Sequence, residues 1–334
     1  MKMLPTIVMA ACALVTAALA EGETYKGDVP LRHVVVAPKW VNQAQFAGMF
    51  VAIEEGIYKK YGLELEIREY DFERDPVQEV IDKDADFALT TGERLLISKS
   101  KNEPIQAVSA IFQTSPYVLI SLKEKNIKSA ADLDGKTIGN KGGNVEERLF
   151  ISLILESVGL TEKSVAIKKL GFEKDELQNL LDDDVDIIDI YKTSQLYYFE
   201  TRGVEYEIID PERYGFNVYN DILIAHTDLI DRNKDVVRDF VKGTIEGWEF
   251  AIKNPEKAVN ATMKYVTDPS YNNIAYERYM LEKNIPLIQP EENFRIGSMS
   301  HAKWESLYKN MQEKGFLEKC FDIKRAFTTE FIPE

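Results

Sequence analysis

Trp40, Asn42, Gln43, Gln45 and Phe46 crowd into one short stretch, directly after the β-rich run "HVVVA" and at the point where a helix begins. Amides and aromatics in such a place suit the recognition of a flat, nitrogen-rich ring. Ring faces stack on it, each pair contributing about 0.5–1.5 kcal/mol beyond the area buried, while amides and carboxylates read the hydrogen bonds along its edge. Similar residues stand at other strand ends: Thr90, Thr91, Gly92 and Glu93; Gln113 to Tyr117; Gly142, Gly143 and Asn144; Tyr191, Thr193 and Gln195; Tyr219, Asn220 and Asp221. The expected binding set is Trp40, Asn42, Gln45, Phe46, Thr91, Glu93, Gln113, Tyr117, Gly143, Asn144, Tyr191, Thr193, Tyr219 and Asp221. Each aromatic has a second reading as a core residue. That reading is strongest for Phe46, which also belongs to an apolar helix stripe, and it stands for Tyr117, Tyr191 and Tyr219 in a chain rich in tyrosine.

Other chemistry finds little to work with. His33, His226 and His301 are far apart, and none has a His, Cys or acid at metal-ligand spacing. There is no G-x-S-x-G, no P-loop, no G-x-G-x-x-G after a strand and no Cys–His arrangement. "KGGN" (141–144) reads either as a plain loop or as a set of backbone N–H groups offered to a ligand. Glu146 and Glu147 are adjacent on a predicted helix and point in different directions, which argues against shared acid–base work. No catalytic residue, metal or cofactor is expected.

The elements that must position these residues are α/β. Short β-rich runs alternate with helical stretches from residue 33, and a second such unit begins near "YVLISL" and ends near "NDILIAH". After Thr227 the chain reads as mainly helical. Phe46, Met49, Phe50, Ile53 and Ile57 fall at helical spacing, and Gly62 follows where that helix should stop. A chain that builds one α/β unit, crosses into another and returns implies two lobes joined by two strands, with a cleft at the carboxyl ends of the strands. The expected division is a first lobe at 30–118, a second at 119–221, and a return to the first lobe over 222–334.

The 334 residues allow about two domains. Residues 1–20 carry Lys2, an apolar run and small residues at Ala18 and Ala20, the pattern of a cleaved secretory signal, so a periplasmic or otherwise extracytoplasmic product is expected. Cys12 in "MAAC" raises the alternative of lipid anchoring. Without that leader only Cys320 remains, and no internal disulfide can form. A formal net charge of −15 repels nucleic acid and anionic membranes. The run Asp182 to Asp184 reads as a solvated face.

The ordered segments "KWVNQAQFAGMFVAIEEGIYKKYGLELEI", "ADFALTTGERLLISK", "AIFQTSPYVLIS", "SAADLDGKTIGNKGG", "VDIIDIYKTSQLYYFETRGV", "YNDILIAH", "VKGTIEGWEFAIKNPEKAV" and "LIQPEE" resemble a known family. It is the periplasmic substrate-binding proteins of ABC transporters, in particular the binders of thiamine pyrimidine precursors, riboflavin and sulfonates. The resemblance covers nearly all of the chain after its leader. It implies a two-lobed type II periplasmic-binding-protein fold that closes on a small molecule by a hinge and docks, as a monomer, on a membrane permease with its ATPase. Pyrimidine synthases of thiamine synthesis look similar, but they carry a histidine where this chain has Phe46 and a cysteine-rich iron motif that Cys12 and Cys320 cannot supply. Sensing domains of the same fold are expected to continue into membrane spans, whereas this chain stops at Glu334.

Overall fold

In the computed structural model the alternating runs form two five-stranded sheets with helices on their faces. Residues 30–141, 145–171 and 173–334 are described; the leader with Cys12, and the candidates Gly143 and Asn144, lie outside them. The chain lays down β1 (Arg32–Ala37), α1 (Ala47–Glu54), α2 (Ile57–Lys60), β2 (Leu63–Ile67), α3 (Pro76–Ile81), β3 (Phe87–Thr90), α4 (Gly92–Ser100) and β4 (Ile105–Phe112). It then crosses to β5 (Tyr117–Leu122), β6 (Thr137–Asn140), α5 (Val145–Ser157), β7 (Ala166–Lys169), α6 (Glu176–Leu181), β8 (Ile187–Tyr191), α7 (Leu196–Thr201) and β9 (Tyr206–Ile209). It returns through β10 (Asn220–His226) and finishes in α8 (Thr227–Arg232), α9 (Lys234–Lys253), α10 (Pro255–Thr262), α11 (Ile274–Ile288) and α12 (His301–Glu313).

The sheets repeat one pattern. The first has the order β2-β1-β3-β10-β4 and the second β7-β6-β8-β5-β9. In each, three strands run parallel, and the strand next to them, β10 or β5, lies antiparallel to both of its neighbours. The chain passes between the sheets through residues 113–116 and 210–219. The seven-residue β10 is buried along its whole length, with the apolar Ile222–Ala225 at its centre, as a strand with neighbours on both sides should be.

The single helix expected over 45–61 is broken. Gly56 takes φ 71 and starts the short α2, and Gly62, at φ 74, ends it. Only glycine enters this left-handed region without a side-chain penalty, so the pair sets the corner from α1 into β2. On its other side α1 crosses α9 with unusually little separation: a Cβ placed on Gly247 would lie 2.2 Å from the Gly48 carbonyl oxygen.

One core cluster lies in the first lobe, around Phe50, Phe87, Phe240 and Trp248. A second runs across both lobes, joining Leu95 and Leu96 of α4 to Leu119 of β5, Phe150 and Ile154 of α5, and Trp304 of α12. The lobes therefore meet through a continuous apolar contact, with the strand ends of both sheets facing each other above it.

Candidate functional site

Strand ends from the two sheets converge on one buried polar network. Just beyond β1 stands Lys39, whose side chain is 12% exposed. Its Nζ lies 2.7 Å from Asp221 Oδ1, donates to Tyr191 Oη at 3.3 Å and contacts Asn220 Oδ1. Asn220 and Asp221 begin β10 beside the end of β3, whereas Tyr191 ends β8 opposite Tyr117, the first residue of β5. Asp221 sits at φ 47, a left-handed conformation that a β-carbon makes costly by about 1 kcal/mol. Its backbone N–H donates to Asn220 Oδ1 at 2.8 Å.

From the helix start, Gln45 Nε2 donates to Asp221 Oδ1 at 2.9 Å, and Gln43 Nε2 donates to Gln45 Oε1 at 2.9 Å. From the other lobe, Glu146 Oε1 accepts from Asn220 Nδ2 at 2.8 Å and from Ser115 Oγ at 3.0 Å. Glu147 takes the Asn140 amide. The Tyr117 and Tyr191 rings meet edge to face at 4.4 Å.

The electrostatics are one-sided. Burial pulls the Lys39 ammonium down, but Asp221, Tyr191 and Glu146 together outweigh it and hold the group well above the usual lysine value. Burial pushes Asp221 up despite Lys39, and pushes Glu146 up to about 7. Burial, followed by neighbouring carboxylates, drives Glu93 and Asp189 well above the carboxylate range. Asn42 Oδ1, Gln43 Oε1, both Glu93 oxygens and Asp189 Oδ1 have no hydrogen-bond partner among the described residues.

Behind the "NQAQ" turn, Glu277 of α11 accepts the Ala44 N–H at 2.5 Å, and Asn284 Nδ2 reaches the Ala44 carbonyl at 3.4 Å. Burial pushes the Glu277 carboxyl up to about 8. The folded protein therefore holds this proton where the unfolded chain has lost it, and stability falls as pH rises from the ordinary glutamate range to about 8. Glu277→Gln should flatten that slope and raise stability at pH 9 by roughly 2–4 kcal/mol, read from urea unfolding across pH.

Of the residues expected from the sequence, Gln45, Tyr117, Tyr191 and Asp221 join the network directly, and Glu93 faces it electrostatically. Asn42 and Thr193 are buried. Thr91 accepts the Arg94 N–H and caps α4. Gln113 donates to the Ala110 and Ser298 carbonyls. Two expected ring contacts are used inside the protein: Phe46 packs in the first core, and Tyr219 lies 5.5 Å from the Trp304 ring with its hydroxyl accepting the Ser300 N–H. Trp40 lies 5.6 Å from both Tyr70 and Phe72, the latter 65% exposed.

Lys39, Asn140, Asp189, Glu146, Glu147 and Glu277 were not among the expected residues, and Ser115 stood only within the stretch Gln113 to Tyr117. The two adjacent glutamates do point to different partners, yet both are buried. A clasp was missed as well. Tyr198 of α7 stacks on Tyr276 of α11 at 5.6 Å, and Lys283 of α11 approaches Glu200 of α7 at 3.7 Å, joining the lobes a second time. Among the described residues no cluster of His, Cys, Asp and Glu has the arrangement to hold a metal ion, and no helix is long and apolar enough to cross a membrane.

Comparison with known proteins agrees with this geometry. The riboflavin-binding protein RibY of Chloroflexus aurantiacus is 25% identical over 308 residues, which cover 91% of this chain and 87% of RibY. The formylaminopyrimidine-binding protein of Halalkalibacterium halodurans is 22% identical over 328 residues, 97% of this chain and 98% of the relative. A relative from Legionella pneumophila that bears an enzyme's name, 4-amino-5-hydroxymethyl-2-methylpyrimidine phosphate synthase, is 19% identical over 303 residues, 90% of this chain and 92% of its own length. Among solved structures, the periplasmic aliphatic sulphonate binding protein SsuA of Escherichia coli superposes with a TM-score of 0.69 at 13% identity, over 89% of this chain and 92% of SsuA. That likeness shows the two-lobed periplasmic-binding-protein fold. The family described as NMT1/THI5 like matches residues 43–258, more than half of the sequence, and the chain belongs to that family.

Proposed function

We infer that this chain is the extracytoplasmic solute-binding component of an ABC importer and that it captures a small planar nitrogen heterocycle, such as a thiamine pyrimidine precursor, by closing its lobes. The observation that carries this reading is the group of buried oxygens that stand without donors near the place where the two sheets meet. Lys39 is already held by Asp221, while carboxylates and amide oxygens stand without donors. A sulfonate brings only acceptors and leaves amide oxygens such as Asn42 Oδ1 and Gln43 Oε1 without a donor. A ring bearing amino and N–H groups supplies the missing half of each hydrogen bond, and Tyr117 and Tyr191 offer edges and faces beside it. The relatives named for riboflavin and for formylaminopyrimidine bind ligands of this type. The permease and ATPase that such a component serves are its proposed partners.

Thermal-shift measurements with formylaminopyrimidine, riboflavin and an alkanesulfonate test the reading, since a ligand that binds only the folded state raises its apparent stability. The pyrimidine is expected to give the largest shift. A shift with the sulfonate alone would overturn the ligand class. The second reading, a pyrimidine synthase, is favoured by the name of the Legionella relative. It requires turnover, and iron or pyridoxal phosphate in the purified protein. One local feature weighs against it: Phe46 stands where the similar synthases carry histidine.

A further inference from the structure

α11 ties together parts of the molecule that lie far apart along the chain. Glu277 and Asn284, two helical turns from each other, share one face of it. Both are 0% exposed, and both hold Ala44: its N–H donates to Glu277 Oε2 at 2.5 Å, and its carbonyl accepts from Asn284 Nδ2 at 3.4 Å. Tyr276, Tyr279 and Lys283 follow one another at helical spacing on a second face, which meets α7 of the other lobe. There Tyr276 stacks on Tyr198 at 5.6 Å, Tyr276 and Tyr279 each meet the Tyr197 ring at 5.4 Å, and Lys283 lies 3.7 Å from Glu200. In the last turn of the helix the Leu287 carbonyl accepts the N–H of Gln113, in the crossing between the sheets, at 2.7 Å.

Backbone N–H groups at a helix start have no partner within the helix, and a side chain just ahead of it ordinarily caps them. Gln43 stands in that place and makes no such bond. The acceptor comes instead from Glu277, 233 residues away. Asn42 Oδ1 and Gln43 Oε1 are thereby spared, buried and without a donor. We propose that Glu277 and Asn284 are positioning residues for ligand recognition, which take over the backbone of this turn so that its amide oxygens stay free, and that α7 fixes the helix carrying them. The second lobe then sets the geometry of a binding turn that belongs to the first. The proposal rests on the capture reading above for the use of those oxygens, and it adds the element that places them.

Amide hydrogen exchange of the purified full chain, with no added ligand, tests this, so a wrong choice of ligand class does not touch its outcome. Glu277→Ala should speed exchange of the Ala44 amide about tenfold or more, whereas Glu277→Gln, which keeps an acceptor oxygen, should hold it near the wild-type rate. Tyr197→Ala and Tyr198→Ala change half-buried side chains of the other lobe whose ring partners across the lobes lie on α11. Each should speed exchange over residues 43–46 several-fold while amides in the middle of α9 keep their wild-type rates. Unchanged exchange over 43–46 in either tyrosine variant overturns the proposal, and where one of them fails to fold the other decides. A rise of equal size in the turn and in α9 overturns it as well, because α7 would then lend only general stability. So does a Glu277→Gln rate as fast as that of Glu277→Ala.

Discussion

Lys39→Met should cost about 3–5 kcal/mol of stability at pH 8, the range found when one partner of a buried ion pair is removed and the other is left behind. The size follows from what remains. Among the described residues the Asp221 carboxylate would keep the Gln45 amide as its side-chain donor, Glu146 would keep neutral donors, and both would stay buried. Methionine fills a similar volume, so the loss is electrostatic rather than a cavity. Its pH dependence is the diagnostic part. As pH falls through the range to which burial raises Glu146, that carboxyl becomes neutral and no longer needs the ammonium, so the penalty should shrink. Urea unfolding of both proteins at pH 5.5 and pH 8 reads this directly. A loss below about 1 kcal/mol at both values would mean that water reaches the cluster and screens it.

The double substitution Trp40→Ala, Tyr191→Ala should remove ligand binding while leaving a folded protein. Tyr191 packs edge to face on Tyr117 and receives a hydrogen bond from Lys39, so it ties the buried network to the second sheet. Trp40, with Tyr70 and Phe72, forms an aromatic group next to the helix start and packs, only partly buried, against the first core. Two lost ring contacts of about 1.5 kcal/mol each correspond to an affinity drop of roughly 100-fold. Calorimetric titration with the heterocycle that stabilises the wild type measures it, with circular dichroism confirming the fold. Unchanged affinity would place the ligand elsewhere.

The sheets were legible because their signal is local. Runs such as "HVVVA" and "NDILIAH" are too short and too β-branched to be helices, and the amphipathic stretches between them are too long to be loops. The break at Gly56 was not foreseen, since an isolated glycine inside an apolar stripe looks like a tolerated residue until its backbone is seen to be left-handed. Aromatic candidates were ambiguous for a related reason. Phe46 and Tyr219 have the composition of a binding wall, but the direction of a side chain depends on neighbours such as Trp304, which lies far along the sequence. The charged half of the site was the least legible. Lys39 stands directly before Trp40, yet its partner Asn220 is 181 residues away, and nothing local distinguishes a lysine about to be buried from one left in water. Glu277, which holds the Ala44 N–H from 233 residues away, is the same case.

The placement of β10 between β3 and β4 also decides the order in which the molecule can be put together. The second sheet is encoded by one uninterrupted stretch, residues 117–209, whereas the first lacks its inner strand until residue 226 has arrived. A chain emerging from its amino end can thus complete its later half while the earlier half still waits, with β3 and β4 unjoined and their backbone groups exposed to pairing with other chains. Any chaperone that accompanies this protein before it is finished should accordingly be found on residues 30–112.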